Sequence, residues 1–349
     1  MLTGHTGFKG AWLAAWLGRL GARVTGFSLA TETDPSLSGL LNNLGVSESI
    51  IDDIRDAAAL STAFERAKPD VVLHLAAQAL VRASYVTPID TLETNVIGTA
   101  RVLEACRDSA GVAAIVVVTT DKCYENREWV WPYRETEALG GHDPYSASKA
   151  CAEIVASAWR RSFVPGASGR AIGLATARAG NVIGGGDWAE DRLLPDCARA
   201  FSAGVAMGIR NPVSTRPWQH VLEPLCGYLL LAEDLCGPRA QAFSDAWNFG
   251  PASGEAADVL SVVSRAASAW GEGARYEVIG SDHRHEASFL AVDASKARRT
   301  LGWRPLLDTG AAIDWSMQWY RRFYAGEQAA ALVTSQIAAY EDMLEMRHA

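Results

Sequence analysis

A doubly wound, Rossmann-like α/β fold around a parallel sheet, with a smaller mixed C-terminal lobe, is predicted by three features of this 349-residue chain. Short β-branched apolar runs alternate with helical patterns through the first half. Those runs are apolar almost throughout, as strands covered on both faces must be. A loop with glycines at 4, 7 and 10 opens directly into the first helical pattern, which sets a helix N-terminus against a dinucleotide pyrophosphate.

The loop is "TGHTGFKG" (3–10), spaced G-x-x-G-x-x-G. Its glycines supply a tight turn, close backbone approach to a phosphate, and close packing of helix on sheet. A helix follows over 8–21, then a strand over 22–30 and a third strand ahead of "DDIRD" (52–56). Helices over 57–68, 91–110 and 144–162 alternate with strands over 69–77, 112–120 and 170–184. Only Met1, Leu2 and Thr3 precede the loop. The first strand is therefore expected to be a stub or to be cut by a start codon set too late. The second is favoured, because an unfilled central slot strands its neighbours' backbone groups.

After residue 184 the loops turn rich in Gly, Pro, Trp and Asp. Helices are expected near 190–204 and 219–236, short strands at 246–250 and 275–280, and two closing helices at 309–325 and 328–347. Residues 1–184 are read as a dinucleotide-binding domain. Residues 185–349 are read mainly as a substrate lobe, with segments returning to the main sheet.

A net charge of −8 offers no footprint for nucleic acid or an anionic membrane. No apolar run approaches the roughly 20 residues of a membrane span, and the N-terminal pattern is not a signal peptide. Six scattered cysteines, with no C-x-x-C, fit free thiols in a reducing cytoplasm and no metal site.

The second strand ends at Ser28-Leu29-Ala30, without the acid that grips the ribose of NAD or an arginine for the phosphate of NADP. NAD is expected, since no cation is placed for a 2′-phosphate. Asp53 and Ile54 fit either an adenine contact or a solvated strand end.

Tyr145 and Lys149 form Y-x-x-x-K and share one helix face. Of nine tyrosines, only Tyr145 has a lysine at this spacing. The ammonium is expected to lower the phenol's pKa and make it a usable base. In "VVVTTDKCYENRE" (116–128), Asp121 and Lys122 stand where a buried strand ends. Alone they read as a solvated salt-bridging pair; beside Tyr145 they read as acid–base machinery. Cys123 and Tyr124 are read as packing residues, as are Trp188 and Trp218.

Over nearly its whole length the chain resembles the extended short-chain dehydrogenase/reductases, and among them the sugar-nucleotide 4,6-dehydratases. The resemblance is carried by "TGHTGFKG", "HLAAQALVRASYVTPIDTLETNVIGT" (74–99), "TTDKCYENRE", "YSASK", "ARAGNVIGGGDWAEDRLLPD" (177–196), "STRPWQHVLEPLCGYL" (214–229) and "HEASFLAVDASKARRTLGW" (285–303). "GHTGFKG" with "TTDK" is most similar to the branch acting on CDP-glucose.

The resemblance implies oxidation at C4 of the sugar, loss of water across C5–C6, and reduction at C6 by the same hydride. Tyr145, supported by Lys149 and Thr120, would take the C4 hydroxyl proton, and Asp121 would protonate the leaving C6 hydroxyl. Many relatives carry Glu where this chain has Lys122, which leaves open whether Lys122 is the C5 base, positions a water, or stabilises an enolate. Cofactor contacts are implied for Gly4, Thr6, Gly7, Phe8, Lys9, Gly10, Leu75, Ala76, Ala77, Gln78, Thr119, Tyr145 and Lys149. Substrate contacts are implied for Ser84, in a loop with Gln78 and Arg82, and for Asn181, Arg192, Arg216, His285 and Glu286. Arg178 fits a structural ion pair equally well, and His285-Glu286 fits surface salt bridging. The resemblance also implies a homodimer, or dimer of dimers, built on the 91–110 and 144–162 helices, and a deoxysugar destined for lipopolysaccharide O-antigen. A sugar-nucleotide epimerase or reductase, needing no acid–base pair at 121–122, and a non-catalytic NAD(P)-sensing binder are the competing readings.

Overall fold

The computed structural model describes residues 1–163, 171–251, 257–280 and 289–348. Its main sheet holds β1 (Leu2–Thr3), β2 (Val24–Ser28), β3 (Val46–Ile51), β4 (Val71–His74), β5 (Ala114–Val118), β6 (Gly173–Ala179) and a strand at Ala246–Phe249. From one edge the order is Ala246–Phe249, β6, β5, β4, β1, β2, β3, and every pairing is parallel. The winding direction reverses at β1, between β2 and β4, and ligands bind α/β sheets at such a switch point.

Both sheet faces are buried. On β5, Ala114, Val116 and Val118 join the larger apolar core, while Ile115 and Val117 point into the second. This explains why the strand reads as a continuous apolar run and not as an alternation. The larger core extends from α1 (Phe8–Arg19) to Trp188, Leu222, Trp303 and Tyr340 of the second half.

The first strand is a two-residue stub. Leu2 stands opposite Gly26 and Leu73, and Thr3 opposite Phe27 and His74. The α-amino group donates to the Val71 carbonyl at 2.7 Å. The central slot is occupied over those two positions.

Three expectations are corrected. The 91–110 segment is not one α-helix: a π-helical turn, Glu93–Gly98, separates Pro88–Leu92 from Thr99–Asp108. Arg82 and Ser84 lie in a short helix, Val81–Val86, not in a loop. A helix at Val259–Trp270 was not anticipated; Asp258 caps it by accepting from Ser261 N at 2.8 Å, and Val262, Val263, Ala266 and Trp270 form its buried stripe.

Two segments beyond residue 184 return to the sheet. Ala246–Phe249 forms its edge strand. The C-terminal helix, Ala329–His348, packs on α1, with Tyr340 edge-on to Trp16 at 5.6 Å between ring centroids. The strand expected near 275–280 is Arg275–Val278, paired with Ala206–Ile209. Among the described residues no helix is long and apolar enough to cross a membrane, and no three His, Cys, Asp or Glu side chains gather as a metal site.

Candidate active site

The glycine loop follows β1 at the switch point. Gly4 has φ +76°, and a Cβ there would lie 2.7 Å from Ala76 N. A Cβ on Gly10 would lie 2.0 Å from the Gly4 carbonyl oxygen. Both positions demand glycine, so the loop can press against β4 and the helix against the loop. Gly7 is the N-cap of α1, with no capping side chain and no acid in the first turn. That terminus suits an anion, and the cradle fits a dinucleotide diphosphate.

At the end of β2, where an acid is missing, Thr6 and Ser28 share a hydroxyl–hydroxyl hydrogen bond of 2.7 Å. Thr6 also donates to the Leu29 carbonyl at 2.9 Å. Asp53 accepts from Arg55 Nε and Nη2 at 2.9 and 2.7 Å. Ile54 is buried in the second core. Leu75, Ala76, Ala77 and Gln78 run on from β4, all half-buried. Phe8 faces Gly184, where a Cβ would come within 3.1 Å of its ring.

The helix Pro144–Ser162 begins at an N-cap aspartate, Asp143, which accepts from Ser146 N at 2.9 Å and Ser146 Oγ at 2.6 Å. This cap fixes Tyr145 in the first turn and Lys149 one turn on, both buried. Lys149 Nζ donates to the Val118 carbonyl at 3.3 Å, joining the helix to the end of β5. Just beyond, Thr120 caps a single 3-10 turn, Asp121–Cys123, accepting from Lys122 N at 3.3 Å. Thr120 Oγ1 donates to Asp121 Oδ1 at 3.1 Å, and the same hydroxyl lies near enough to Tyr145 to favour its ionised form. Tyr145, Thr120 and Asp121 are therefore neighbours in one buried cluster.

Burial sets its electrostatics. Asp121 is 1% exposed, and this desolvation raises its pKa against the pull of Lys122, Thr120 and Arg216. Its Oδ2 has no hydrogen-bond partner among the described residues and lies against Gly180, where a Cβ would sit 1.8 Å away. The reading of Asp121-Lys122 as a solvated pair is excluded for the aspartate, though Lys122 is half-buried. Burial lowers Lys149 to about 8, with Glu153 opposing. Lys9 falls to about 7 through burial and the nearby charges of Lys149 and Arg192.

The expected lowering of Tyr145 is not what the structure shows. Burial pushes its phenol up to about 12, outweighing the Thr120 hydroxyl and the Arg192 charge. A motif reveals the cation but not the depth at which the phenol lies.

The substrate-side residues divide. Asn181 directly follows Gly180 and has φ +40°, an αL-like conformation that Asn tolerates well. Arg192 caps the Leu193–Ser202 helix and acts on Tyr145 and Lys9; Arg216 acts on Asp121. All three border the catalytic cluster. The Ser84 hydroxyl instead donates to the Val81 carbonyl at 2.6 Å and is wholly buried. The Thr119 hydroxyl donates to Glu153 at 2.5 Å and its backbone N–H to the Ala177 carbonyl at 2.9 Å, so neither donor is left for a cofactor. Arg178 is a structural ion-pair partner, 2.7 Å from Glu153. Trp188 packs edge-on to Trp319, Tyr320 and Phe323. His285 and Glu286 lie outside the described residues.

Sequence reading missed Asn95, on the π-helical turn. Its Oδ1 accepts from Gln78 N, and its Nδ2 donates to the Gln78 carbonyl and to Ser148 Oγ, each at 2.9 Å. The available signal was a buried-phase asparagine inside an otherwise amphipathic helical pattern.

The family described as GDP-mannose 4,6 dehydratase matches residues 1–170. The CDP-glucose 4,6-dehydratase of Salmonella typhimurium is 47% identical over 341 residues, covering 97% of this chain and 95% of that protein. The dTDP-glucose 4,6-dehydratase of the same organism is 27% identical over 299 residues, 77% of each. Among solved structures, the UDP-glucose 4-epimerase of Thermotoga maritima superposes with a TM-score of 0.77 at 22% identity, covering 92% of this chain and 98% of that one. The dTDP-glucose 4,6-dehydratase of Streptomyces venezuelae, with NAD bound, gives 0.73 at 24% identity over 92% and 96%. These structural likenesses carry the fold; the sequence match over nearly the full chain carries the family. The chain belongs to the nucleotide-sugar 4,6-dehydratases, in the family of CDP-glucose 4,6-dehydratase.

Proposed function

We propose that this protein is an NAD-dependent hydro-lyase that converts CDP-D-glucose to CDP-4-dehydro-6-deoxy-D-glucose. One observation carries the reaction type: a fully buried Asp121, whose protonated form desolvation favours, is hydrogen-bonded to Thr120 beside the buried Tyr145 phenol. An epimerase or reductase needs Tyr145 and Lys149 but has no use for an acid held in this way.

Gly4, Thr6, Gly7, Phe8, Lys9 and Gly10 would hold the NAD diphosphate, with Ala76, Ala77 and Gln78 beside the nicotinamide half. NAD held there would supply the acceptor for the C4 hydride and the donor that returns it to C6, while C5 takes back a proton. Tyr145 takes the C4 hydroxyl proton, with Thr120 holding that oxygen. Lys149 stabilises the phenolate that accepts this proton, offsetting part of its burial cost. The C4 ketone acidifies C5–H, and Asp121, whose protonated form desolvation favours, gives its proton to the departing C6 hydroxyl. Lys122 stands beside Asp121 and faces C5, as base once neutral or as the cation that stabilises the enolate. Arg192 and Arg216 neutralise the substrate diphosphate, and Asn181 contacts the sugar. Residues 1–184 form the cofactor half and residues 185–349 mainly the substrate half.

The protein acts in the cytoplasm as a homodimer and supplies a deoxysugar for O-antigen. Support for the dimer is a set of exposed apolar side chains on the 144–162 helix and on the two short helices packed against it, Val81–Val86 and Pro88–Leu92: Val86, Ile89 and Ile154 are 81, 65 and 55% exposed.

The test is incubation with NAD and CDP-, dTDP-, GDP- and UDP-hexoses, with products identified by mass spectrometry and NMR. Loss of one water from CDP-glucose, abolished by Tyr145→Phe, is the expected result. A product of unchanged mass would make the protein an epimerase.

A further inference from the structure

Four residues beyond Lys149, on the same helix, stands Glu153, 1% exposed. Its carboxylate is fully engaged. Oε1 accepts from Thr119 Oγ1 at 2.5 Å, and Oε2 from Thr176 Oγ1 and Arg178 Nη2, each at 2.7 Å. Arg178, itself buried, also donates through Nη1 to the Tyr124 hydroxyl at 2.8 Å and the Glu135 carbonyl at 3.2 Å. A buried ion pair adds little stability over apolar residues of equal volume, so packing alone gives no reason for one here. Its location does. Thr119 leads directly into Thr120 and Asp121, and Lys149 holds the preceding residue, Val118, through its carbonyl.

We propose that Glu153 is a positioning residue for the reaction: its carboxylate keeps the Lys149 ammonium charged beside Tyr145 and anchors the strand end that presents Thr120 and Asp121. Arg178 acts behind it, keeping Glu153 itself ionised. This rests on the reading of Lys149 as the cation that supports the Tyr145 phenolate.

The charges around Lys149 make Glu153 the decisive one. On its own helix it faces Tyr145 and Glu153. From α1 comes Lys9, from β4 His74, and from the 3-10 turn Cys123, while Arg178 of β6 stands behind Glu153. His74 is neutral: its ring nitrogens bond the Thr3 and Thr99 hydroxyls, and burial lowers it to about 3. Lys9 repels the ammonium, and burial opposes it. Glu153, held ionised by Arg178 and two hydroxyls against its own desolvation, is the carboxylate that supports the charge.

The chain has only five lysines (9, 68, 122, 149 and 296), so the full-length protein with isotope-labelled lysine side chains gives a countable set of NMR titrations. Loss of one signal in Lys149→Arg assigns Lys149. In Glu153→Gln the Lys149 midpoint should fall by about one pH unit or more, and the basic limb of the kcat/KM profile should move down with it. Glu153→Gln/Arg178→Gln leaves neither charge unpaired and should show the same direction of shift, even if the single variant does not fold. A folded single or double variant whose Lys149 titrates as in the native protein overturns the proposal. The NMR titration needs no turnover. A native protein inactive on every donor would remove the functional reading without touching the Glu153–Lys149 coupling.

Discussion

Replacing Gly180 by alanine is the sharpest probe of Asp121 as the acid. A Cβ at residue 180 would sit 1.8 Å from Asp121 Oδ2 and 2.2 Å from its Cγ. Ordinary contact begins near 3.4 Å, so the carboxyl must retreat by about 1.6 Å. Asp121 is buried and bonded to Thr120, so the retreat breaks the geometry that aims its proton. Overpacking of this kind costs about 1–3 kcal/mol of stability, and a misplacement beyond 1 Å costs about 100-fold in the step that depends on it. That step is water loss, not C4 oxidation, because Tyr145 and Lys149 are untouched. Mass spectrometry of CDP-glucose recovered from deuterated water separates the two. The variant should return substrate labelled at C5 while forming little dehydrated product. Asp121→Asn, which removes the acid without moving it, should behave alike. A folded Gly180→Ala enzyme that eliminates water at the native rate would refute Asp121 as the acid.

Three further outcomes follow from the same structure. Lys9 loses its proton near pH 7 because burial and like charges depress it; NAD affinity should therefore weaken as pH rises through 7, and Lys9→Met should be weaker throughout and flat, as calorimetric titration would show. Glu223 accepts from Leu306 N, Leu307 N and the Tyr340 hydroxyl, yet burial raises it to about 7 from an ordinary value of 4.5. A raised folded pKa means stability is fully present below pH 4.5 and is lost as pH climbs toward 7, by about 3 kcal/mol at most; chemical denaturation should show that slope, and Glu223→Gln should flatten it. Ile89→Asp, on the short Pro88–Leu92 helix packed against the 144–162 helix, should convert a dimer to monomer by light scattering without unfolding it.

Much of the fold was legible because parallel sheets buried on both faces write themselves as apolar runs, and β5 did so without ambiguity. The glycine loop and the Tyr145–Lys149 spacing were equally plain, since both are local constraints of turn and helix geometry. What stayed hidden depended on depth and on partners distant in sequence. No local pattern shows that Asp121 is buried, that burial outweighs the cation at Tyr145, or that Glu153 meets Arg178 across two elements. The Val259–Trp270 helix was hidden by its many serines and alanines. The π-helical turn left no local signal, and Asn95, which it carries, is bonded to Gln78, 17 residues away.

That single asparagine has a mechanical consequence. Its amide grips both backbone groups of Gln78 and, through Ser148, the helix whose first turn carries Tyr145. The segment that runs on from β4 and the helix that carries Tyr145 are thereby tied together, so displacing either one breaks these bonds or carries the other along. A cofactor reoxidised within each turnover has no need to leave between them, and such ties suit it.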